Sequence, residues 1–505
     1  MAAFEVLAAL VAVSAVIYYY LTSTADFWAK RGIPFIAPSP FFGSSKDFFF
    51  NKVFRGEIGR SFYNYAKEGG HKYVGVFLGR RPVLIPCDVD VVKTMLVKDF
   101  HYVTDRGMFY DRKREPLSAN LFNLGGSEWK TLRAKLSPTF TTGKMKNMFY
   151  LVSECARGLE HFLEEEASKQ RGSVEMNEAL AKYSTDVIGS CAFGIEANSL
   201  KDPDAEFRTM GREVFTISRG RAFLQVIAES LPMLRRVLPL PLIKRNVSSF
   251  FTRTFNENVQ YREQQKVVRH DFLDLLLQLK HSGADGSAGA DSTGIDVDIL
   301  PAQAFIFFLA GFETSSGATS ACLMNLAQHQ DVQDRLREEV DRVLAKHGGV
   351  MSYEALQEMK YMEQCLEETM RMFPALGLLP RVVTRDYQLP DCKATVPAGT
   401  RILIPVYAIH HDPEFYPEPS RFDPDRFTED AKSSRPHYAY LPFGEGPRIC
   451  IGMRFAWMQM KSALTVVLRS YKVTPNEHTV YPLKFDTKSF VSKIDGGAHV
   501  TLTRR

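Results

Sequence analysis

The ten residues Phe443-Gly444-Glu445-Gly446-Pro447-Arg448-Ile449-Cys450-Ile451-Gly452 constrain this 505-residue chain more than any other stretch. They form a glycine-rich turn that delivers an arginine and then a cysteine to the mouth of an apolar, helix-patterned segment. A cysteine there is favoured as its anion, because free backbone N–H groups and the positive end of a helix dipole converge on it and Arg448 adds a full charge nearby. Cys450 is therefore a candidate metal ligand. Gly446 and Gly452 let the backbone approach a flat partner closely, while Pro447 stiffens the turn and removes one N–H. The alternative is a buried cysteine that merely opens a core helix. The grouping of Phe443, Gly446, Arg448, Cys450 and Gly452 within ten residues argues against it.

Written as Phe-x-x-Gly-x-Arg-x-Cys-x-Gly, this segment resembles the cysteine loop of the cytochrome P-450 family of haem-thiolate monooxygenases. The resemblance implies haem b with Cys450 as the axial ligand of its iron. Other stretches match in the family's order. Trp129-Lys130-Thr131-Leu132-Arg133 has helical spacing that puts Trp129 and Arg133 on one face, an indole N–H and a guanidinium suited to a carboxylate such as a haem propionate. Ala310-Gly311-Phe312-Glu313-Thr314 places small residues, an acid and a hydroxyl within the apolar run Leu300 to Leu323, which reads as a helix through the protein's centre. By resemblance this is the oxygen-side groove, with Thr314 and Glu313 as catalytic residues that organise protons. Read alone, those five residues fit a helix kink at Gly311 with a satisfied threonine.

Glu368 and Arg371 form an i,i+3 pair, and Phe422-Asp423-Pro424-Asp425-Arg426-Phe427 resembles the family's meander, whose arginine joins them in a buried triad beneath the cysteine loop. The meander departs from the family at Asp425, where Glu is common. Arg381, Arg133, Arg448 and Arg106 are the implied propionate partners, with Phe443, Gly446, Gly452 and Ala310 completing the haem contacts. Phe122, Leu124, Phe308, Leu376, Leu378 and Phe490 are the implied apolar substrate wall. His410 or His411 as iron ligand is the rival reading.

Composition narrows the setting. Sixty-three basic against fifty-eight acidic residues leave a charge of +5, which suits a membrane surface or an acidic protein partner better than nucleic acid. Seven cysteines without CxxC pairing suggest neither a disulfide framework nor a zinc site, and place the body in a reducing compartment. Ala2 to Leu21 is apolar apart from Glu5, Ser14 and the Tyr18-Tyr19-Tyr20 cluster, long enough to cross a bilayer with tyrosines at the interface. Lys30 and Arg31 follow it and no basic residue precedes it, so the positive-inside bias leaves the body on the cytoplasmic side. A cleaved secretory signal is the competing reading, and the cysteine pattern speaks against it.

The domain expectation is an anchor at 1–23, a proline-rich tether at 24–45 and one catalytic unit at 46–505. Within that unit, Tyr73 to Leu78 and Val83 to Pro86 read as a hairpin and Asp88 to Phe100 as helical. Phe207 to Arg253, with Arg219, Arg221, Phe223, Leu224 and Leu231-Pro232-Met233-Leu234-Arg235-Arg236, reads either as a membrane-dipping lid over the substrate chamber or as ordinary helices with solvated arginines. His281 to Gly294 reads as an exposed loop.

The fold expected is mainly α-helical with small β-sheets, haem lying between the Ala310 to Thr314 helix and the Cys450 loop, plus the N-terminal membrane helix. The local texture, including Asp105-Arg106-Gly107 and Phe140-Thr141-Thr142-Gly143-Lys144-Met145-Lys146, is most similar to insect microsomal detoxifying members. The resemblance implies an endoplasmic-reticulum monooxygenase acting on lipophilic foreign compounds. Its electrons would come from NADPH through a separate reductase, with cytochrome b5 as an optional second donor; no nucleotide fingerprint stands in this chain. Lys130, Lys135, Lys144, Lys146 and Arg454 form the expected reductase-facing patch. The rivals in other classes are a haem-thiolate isomerase or dehydratase and a non-catalytic membrane haem carrier.

Overall fold

The run expected at the centre forms a 29-residue helix, Leu300–Gln328, and nearly every turn of it is buried. In this computed structural model, residues 2–50, 52–169, 171–202, 204–215, 243–284 and 297–505 are described. Helical bonding continues unbroken through Gly311. The small residue serves packing there: a Cβ on Gly311 would lie 2.5 Å from Cδ1 of Ile188, so its absence lets the helix Met176–Ile188 sit tightly alongside. Helices Thr142–Lys169, Arg245–Gln265, Lys360–Met372 and Met453–Ser470 complete the surrounding bundle.

Nine short strands supply the β component among the described residues. They are β1 (Tyr73–Leu78), β2 (Arg81–Pro86), β3 (Ser173–Glu175), β4 (Leu379–Val382), β5 (Tyr387–Gln388), β6 (Thr395–Val396), β7 (Arg401–Ile404), β8 (Tyr471–Pro475) and β9 (His499–Arg504). The main sheet runs β1-β2-β7-β4, and smaller sheets run β3-β9-β8 and β5-β6. The hairpin is tighter than its sequence implied: β2 begins at Arg81, paired with Leu78, leaving Gly79-Arg80 as a two-residue turn. Pro82 is tolerated on β2 because β7 pairs only with Val83 and Leu84. β4 matters most for the site, since its pairing with β7 fixes Arg381 opposite Ile402.

Asp88 caps the helix that follows the hairpin, accepting from the N–H groups of Asp90 and Val91 at 2.9 and 3.0 Å. That helix, Val89–Lys93, runs into a wide π turn at Thr94–Lys98. Ala2–Thr22 is one helix, exposed along almost all its length as a membrane span would be. The proline-rich stretch behind it is pinned to the body: the Gly75 N–H donates to the Pro34 carbonyl and the Ile36 N–H to the Gly75 carbonyl. It therefore lies along the sheet edge, bridging at Phe35 to Gly75. The ends of the Phe207 to Arg253 region are helical, in Glu206–Phe215 and Arg245–Gln265, while Arg219, Arg221, Phe223, Leu224 and Leu231 to Arg236 lie outside the described residues. The loop expected over His281 to Gly294 begins later than its composition implied, because His281 to Ala284 still belong to the helix Phe272–Ala284, and the stretch 285–296 lies outside the described residues as well.

Candidate functional site

A cavity opens between the central helix and the Cys450 loop, and Cys450, Thr314, Ala310, Arg133 and Arg381 all line it. Gly446–Arg448 makes a single tight turn, after which the Cys450 N–H donates to the Phe443 carbonyl at 2.9 Å, closing the loop. Gly446 has φ +71°, and a Cβ on it would lie 2.0 Å from the Leu96 carbonyl oxygen. Its smallness therefore seats the loop on the π turn and does not admit a flat partner, which corrects the sequence reading. Gly452 is different. It lines the cavity, and nothing stands within 4 Å of where its Cβ would be.

Cys450 is accessible, but only into the cavity, with protein packed around it. Burial pushes its thiol up, against the downward pull of the Gly452 N–H, Arg133 and Arg106. The helix proper starts at Met453, so the dipole is more distant than its sequence position implied and does not decide the balance. A cation held in the cavity is what would tip Cys450 to thiolate.

Four arginines surround the same space. Arg448 is buried, donates to the carbonyls of Thr104 and Leu124 at 2.8 Å each, and stacks 3.8 Å above the Trp129 ring. Arg106 donates to the carbonyls of Phe122 and Arg448, both at 3.2 Å. Arg381 is 2% exposed, donates to the Pro380 carbonyl, and keeps its Nε enclosed without a partner. Arg133 lines the cavity with Trp129 one helical turn before it. Only Asp105, 3.7 Å from Arg448, offers these four a carboxylate in ion-pair range among the described residues.

Burial first, then mutual repulsion, pushes Arg448 down to about 9, and burial alone pushes Arg381 down to about 10. Arg106 is lowered as well, by burial first and then by Arg381 and Arg448. A cluster of cations this poorly compensated fits an anionic guest carrying carboxylates. A planar macrocycle with two propionates and a thiol-seeking metal meets the orphaned Arg381 Nε, the open face at Gly452 and the Cys450 sulfur together.

The opposite wall is one face of the central helix, Ile306, Phe307, Ala310, Gly311, Thr314 and Ser315. The Thr314 hydroxyl donates to the Ala310 carbonyl, leaving its lone pairs free to accept. Glu313 is turned off this face by the 100° step between neighbours on a helix. It lies within the field of Lys493, Arg208 and Asp486; burial raises its pKa to about 7, and Oε2 has no protein partner.

Phe122 and Leu376 line the cavity as expected, but four other wall residues do not. Phe308 points away, its ring 5.0 Å from those of Phe207 and Phe251, while its neighbour Phe307 takes the wall position. Leu124 is fully buried behind Arg448. Leu378 fills the space left by Gly59, and Phe490 is exposed with Arg55 over its ring at 5.7 Å. Ile188, Phe373 and Ser492 line the cavity and were not foreseen. Ile306 and Phe307 were readable, lying one turn before Ala310.

Beneath the loop, Arg371 Nε and Nη2 donate to Glu368 at 2.6 and 2.9 Å, with both side chains fully buried. Arg426 Nε stands 3.5 Å from Glu368 Oε1. Asp425 turns outward to Arg335 at 2.9 Å, so its departure from the motif leaves the triad untouched. Neither His410 nor His411 lines the cavity. The Leu441 N–H donates to His410 Nε2 at 2.8 Å, so Nδ1 carries the proton and donates to the Arg371 carbonyl. That buried ring ties the triad to the cysteine loop, and the rival iron-ligand reading is overturned.

The fold and site together define a haem-thiolate protein, helical around a cavity with one cysteine sulfur facing it. Comparison with known proteins gives the family: the model described as Cytochrome P450 matches residues 34–500, and the chain belongs to that family. It is 38% identical over 497 residues to "Probable cytochrome P450 6a20" of Drosophila melanogaster, covering 98% of each chain. It is also 38% identical over 499 residues to "Cytochrome P450 6a2" of the same species, again covering 98% of each. To "Cytochrome P450 6j1" of Blattella germanica it is 39% identical over 501 residues, covering 99% of this chain and 97% of that protein. Membership makes it a haem-dependent oxidoreductase of the monooxygenase kind.

Proposed function

We propose that this protein is an NADPH-dependent monooxygenase of lipophilic compounds, foreign ones such as plant toxins and insecticides among them. It would be anchored in the endoplasmic-reticulum membrane by Ala2–Thr22 with its body in the cytoplasm, and receive electrons from a separate reductase, with cytochrome b5 as an optional second donor. The reaction consumes substrate, O₂, NADPH and a proton, and gives hydroxylated or epoxidised product, water and NADP⁺. The observation that carries the reading is the Cys450 sulfur facing Ala310 and Thr314 across a cavity rimmed by arginines.

Bound haem would supply oxygen activation, its thiolate ligand favouring O–O cleavage. Arg133, Arg381, Arg448 and Arg106 would hold the propionates, and the guest's negative charge would relieve their mutual repulsion. The Thr314 hydroxyl, already committed as donor to Ala310, can accept from water and hold it on the oxygen side. Glu313, raised to about 7 by burial and turned off the cavity wall, can hold a proton in reserve beside Thr314, with water needed to carry it to the hydroxyl. Phe122, Phe307, Leu376 and Phe373 exclude bulk water and offer an apolar seat.

The test is reconstitution with a microsomal reductase and a panel of lipophilic compounds. Product formation that requires NADPH and consumes O₂ supports the proposal. Turnover without NADPH would replace it with the isomerase or dehydratase reading, and tight haem without O₂ consumption with the carrier reading.

A further inference from the structure

The end of the anchor helix is bolted to the tip of the β1–β2 hairpin. Arg80, in the two-residue turn, places its guanidinium 3.9 Å above the Tyr20 ring and donates through Nη2 to the Ser23 hydroxyl at 3.2 Å. Thr24 donates back to the Arg80 carbonyl. One turn further, Trp28 is fully buried and its indole N–H donates to the Val76 carbonyl at 3.1 Å. The β1 backbone lies so close to that indole that a Cβ on Gly75 would meet it at 2.4 Å. Backbone bonds from Ala25, Phe27, Lys30 and Arg31 carry regular turns through the intervening residues. No free joint separates the anchor from the sheet.

A second turn sits beside the tip. Gly43 bridges to Leu78, and a Cβ on it would lie 2.6 Å from the Gly79 carbonyl oxygen. This turn presents Phe41, 58% exposed, and Phe42 packs its ring 5.4 Å from that of Phe50, itself 57% exposed. Exposed aromatic rings beside a cation, at the tyrosine-marked end of an apolar helix, are the composition of a bilayer interface. The Arg80 Nε is enclosed without a protein partner, and the fork keeps further donors available for a phosphate.

We propose that the Gly79-Arg80 turn and the adjoining Phe41 turn form a membrane-interface site that mounts the catalytic body rigidly on the anchor helix. Arg80 takes a phospholipid phosphate, while Phe41 and Phe50 enter the headgroup layer. The orientation of the cavity relative to the bilayer is then set by this contact and not by a flexible linker. The inference rests on the reading of Ala2–Thr22 as a membrane helix.

The test uses the full-length holoprotein in phosphatidylcholine vesicles containing lipid brominated near the glycerol. In Phe41→Trp, the added fluorescence, after subtraction of the wild-type signal, is expected to be strongly quenched. Arg80→Ala on that background is expected to abolish most of the quenching while the haem spectrum stays intact, and Arg80→Lys to fall between. If the fluorescence added by Phe41→Trp stays unquenched in a protein that resists carbonate extraction, the mount alone is overturned. Quenching unchanged by Arg80→Ala would overturn the role of Arg80. Release by carbonate would overturn the anchor reading and the mount together.

Discussion

Removing Glu368 is the sharpest perturbation of the scaffold under the cysteine loop. Glu368→Ala strips Arg371 of two charge-assisted bonds at 2.6 and 2.9 Å and the Asp423 N–H of its acceptor at 3.0 Å. Arg371 keeps the carbonyls of His410 and Pro419 at 2.9 and 2.8 Å, so its donors are partly met while its buried charge is not. Halving a buried pair costs roughly 3–5 kcal/mol, a large share of the ~5–15 kcal/mol that holds a protein folded. Arg426→Ala should cost only about 1 kcal/mol, because that guanidinium stands 3.5 Å away, is 12% exposed and holds the Glu418 carbonyl independently.

Burial pushes the Glu368 carboxyl up even beside two arginines. The intact pair therefore adds little net stability, although breaking it is expensive. The double variant Glu368→Leu/Arg371→Leu should accordingly be milder than the sum of its singles by a coupling of ~0.5–3 kcal/mol. The assay is the ratio of haem-loaded to total protein, with thermal-inactivation half-lives for whatever loads. The reasoning fails if Arg426→Ala is as damaging as Glu368→Ala, or if the double variant equals the sum.

Thr314→Ala should bind haem, carbon monoxide and substrate nearly as wild type, yet divert NADPH into hydrogen peroxide; an unchanged product yield per NADPH would remove Thr314 from oxygen activation. Glu313 is raised from 4.5 to about 7, so the folded state binds its proton more tightly than the unfolded one, and stability should fall as pH rises across that window. Glu313→Gln should flatten that slope, measured as melting temperature against pH, and a slope unaltered by the substitution would contradict the burial argument. Deleting Ala2 to Leu21 should leave a foldable enzyme that still partitions to membranes at low salt, and complete solubility without detergent would count against a peripheral contact. Reductase turnover should fall with ionic strength, and Lys146→Glu should lower it at low salt, because the change replaces the exposed Lys146–Glu354 pair by two carboxylates on the docking face; turnover unchanged at low salt would take Lys146 out of that face.

What the sequence made legible was chemistry confined to one turn or one helix. Cys450 and Arg448 stand in one ten-residue loop, while Trp129 with Arg133 and Glu368 with Arg371 have spacings that by themselves fit a core tryptophan beside a solvated charge and a surface ion pair, and only the family resemblance singled them out. The substrate wall was legible only in part because it is assembled from segments whose phase is fixed by packing. Phe307 and Phe308 are indistinguishable by type, and the cluster of Phe207 and Phe251 decides which of them faces the cavity. Gly446 announced close backbone approach, but its partner is the carbonyl of Leu96, hundreds of residues earlier and beyond any local reading. The seat of Pro34 and Ile36 on the sheet edge was not legible, because their bonds to Gly75 involve backbone atoms that leave no mark on composition.

The most direct measurement is the carbon monoxide difference spectrum of reduced wild-type protein beside reduced Cys450→Ser. Wild type should show the red-shifted Soret band of thiolate ligation, and the variant should lose it while retaining overall fold by circular dichroism. The same red-shifted band in Cys450→Ser would contradict the assignment of Cys450 as the ligand, and with it the site on which the proposed activity rests.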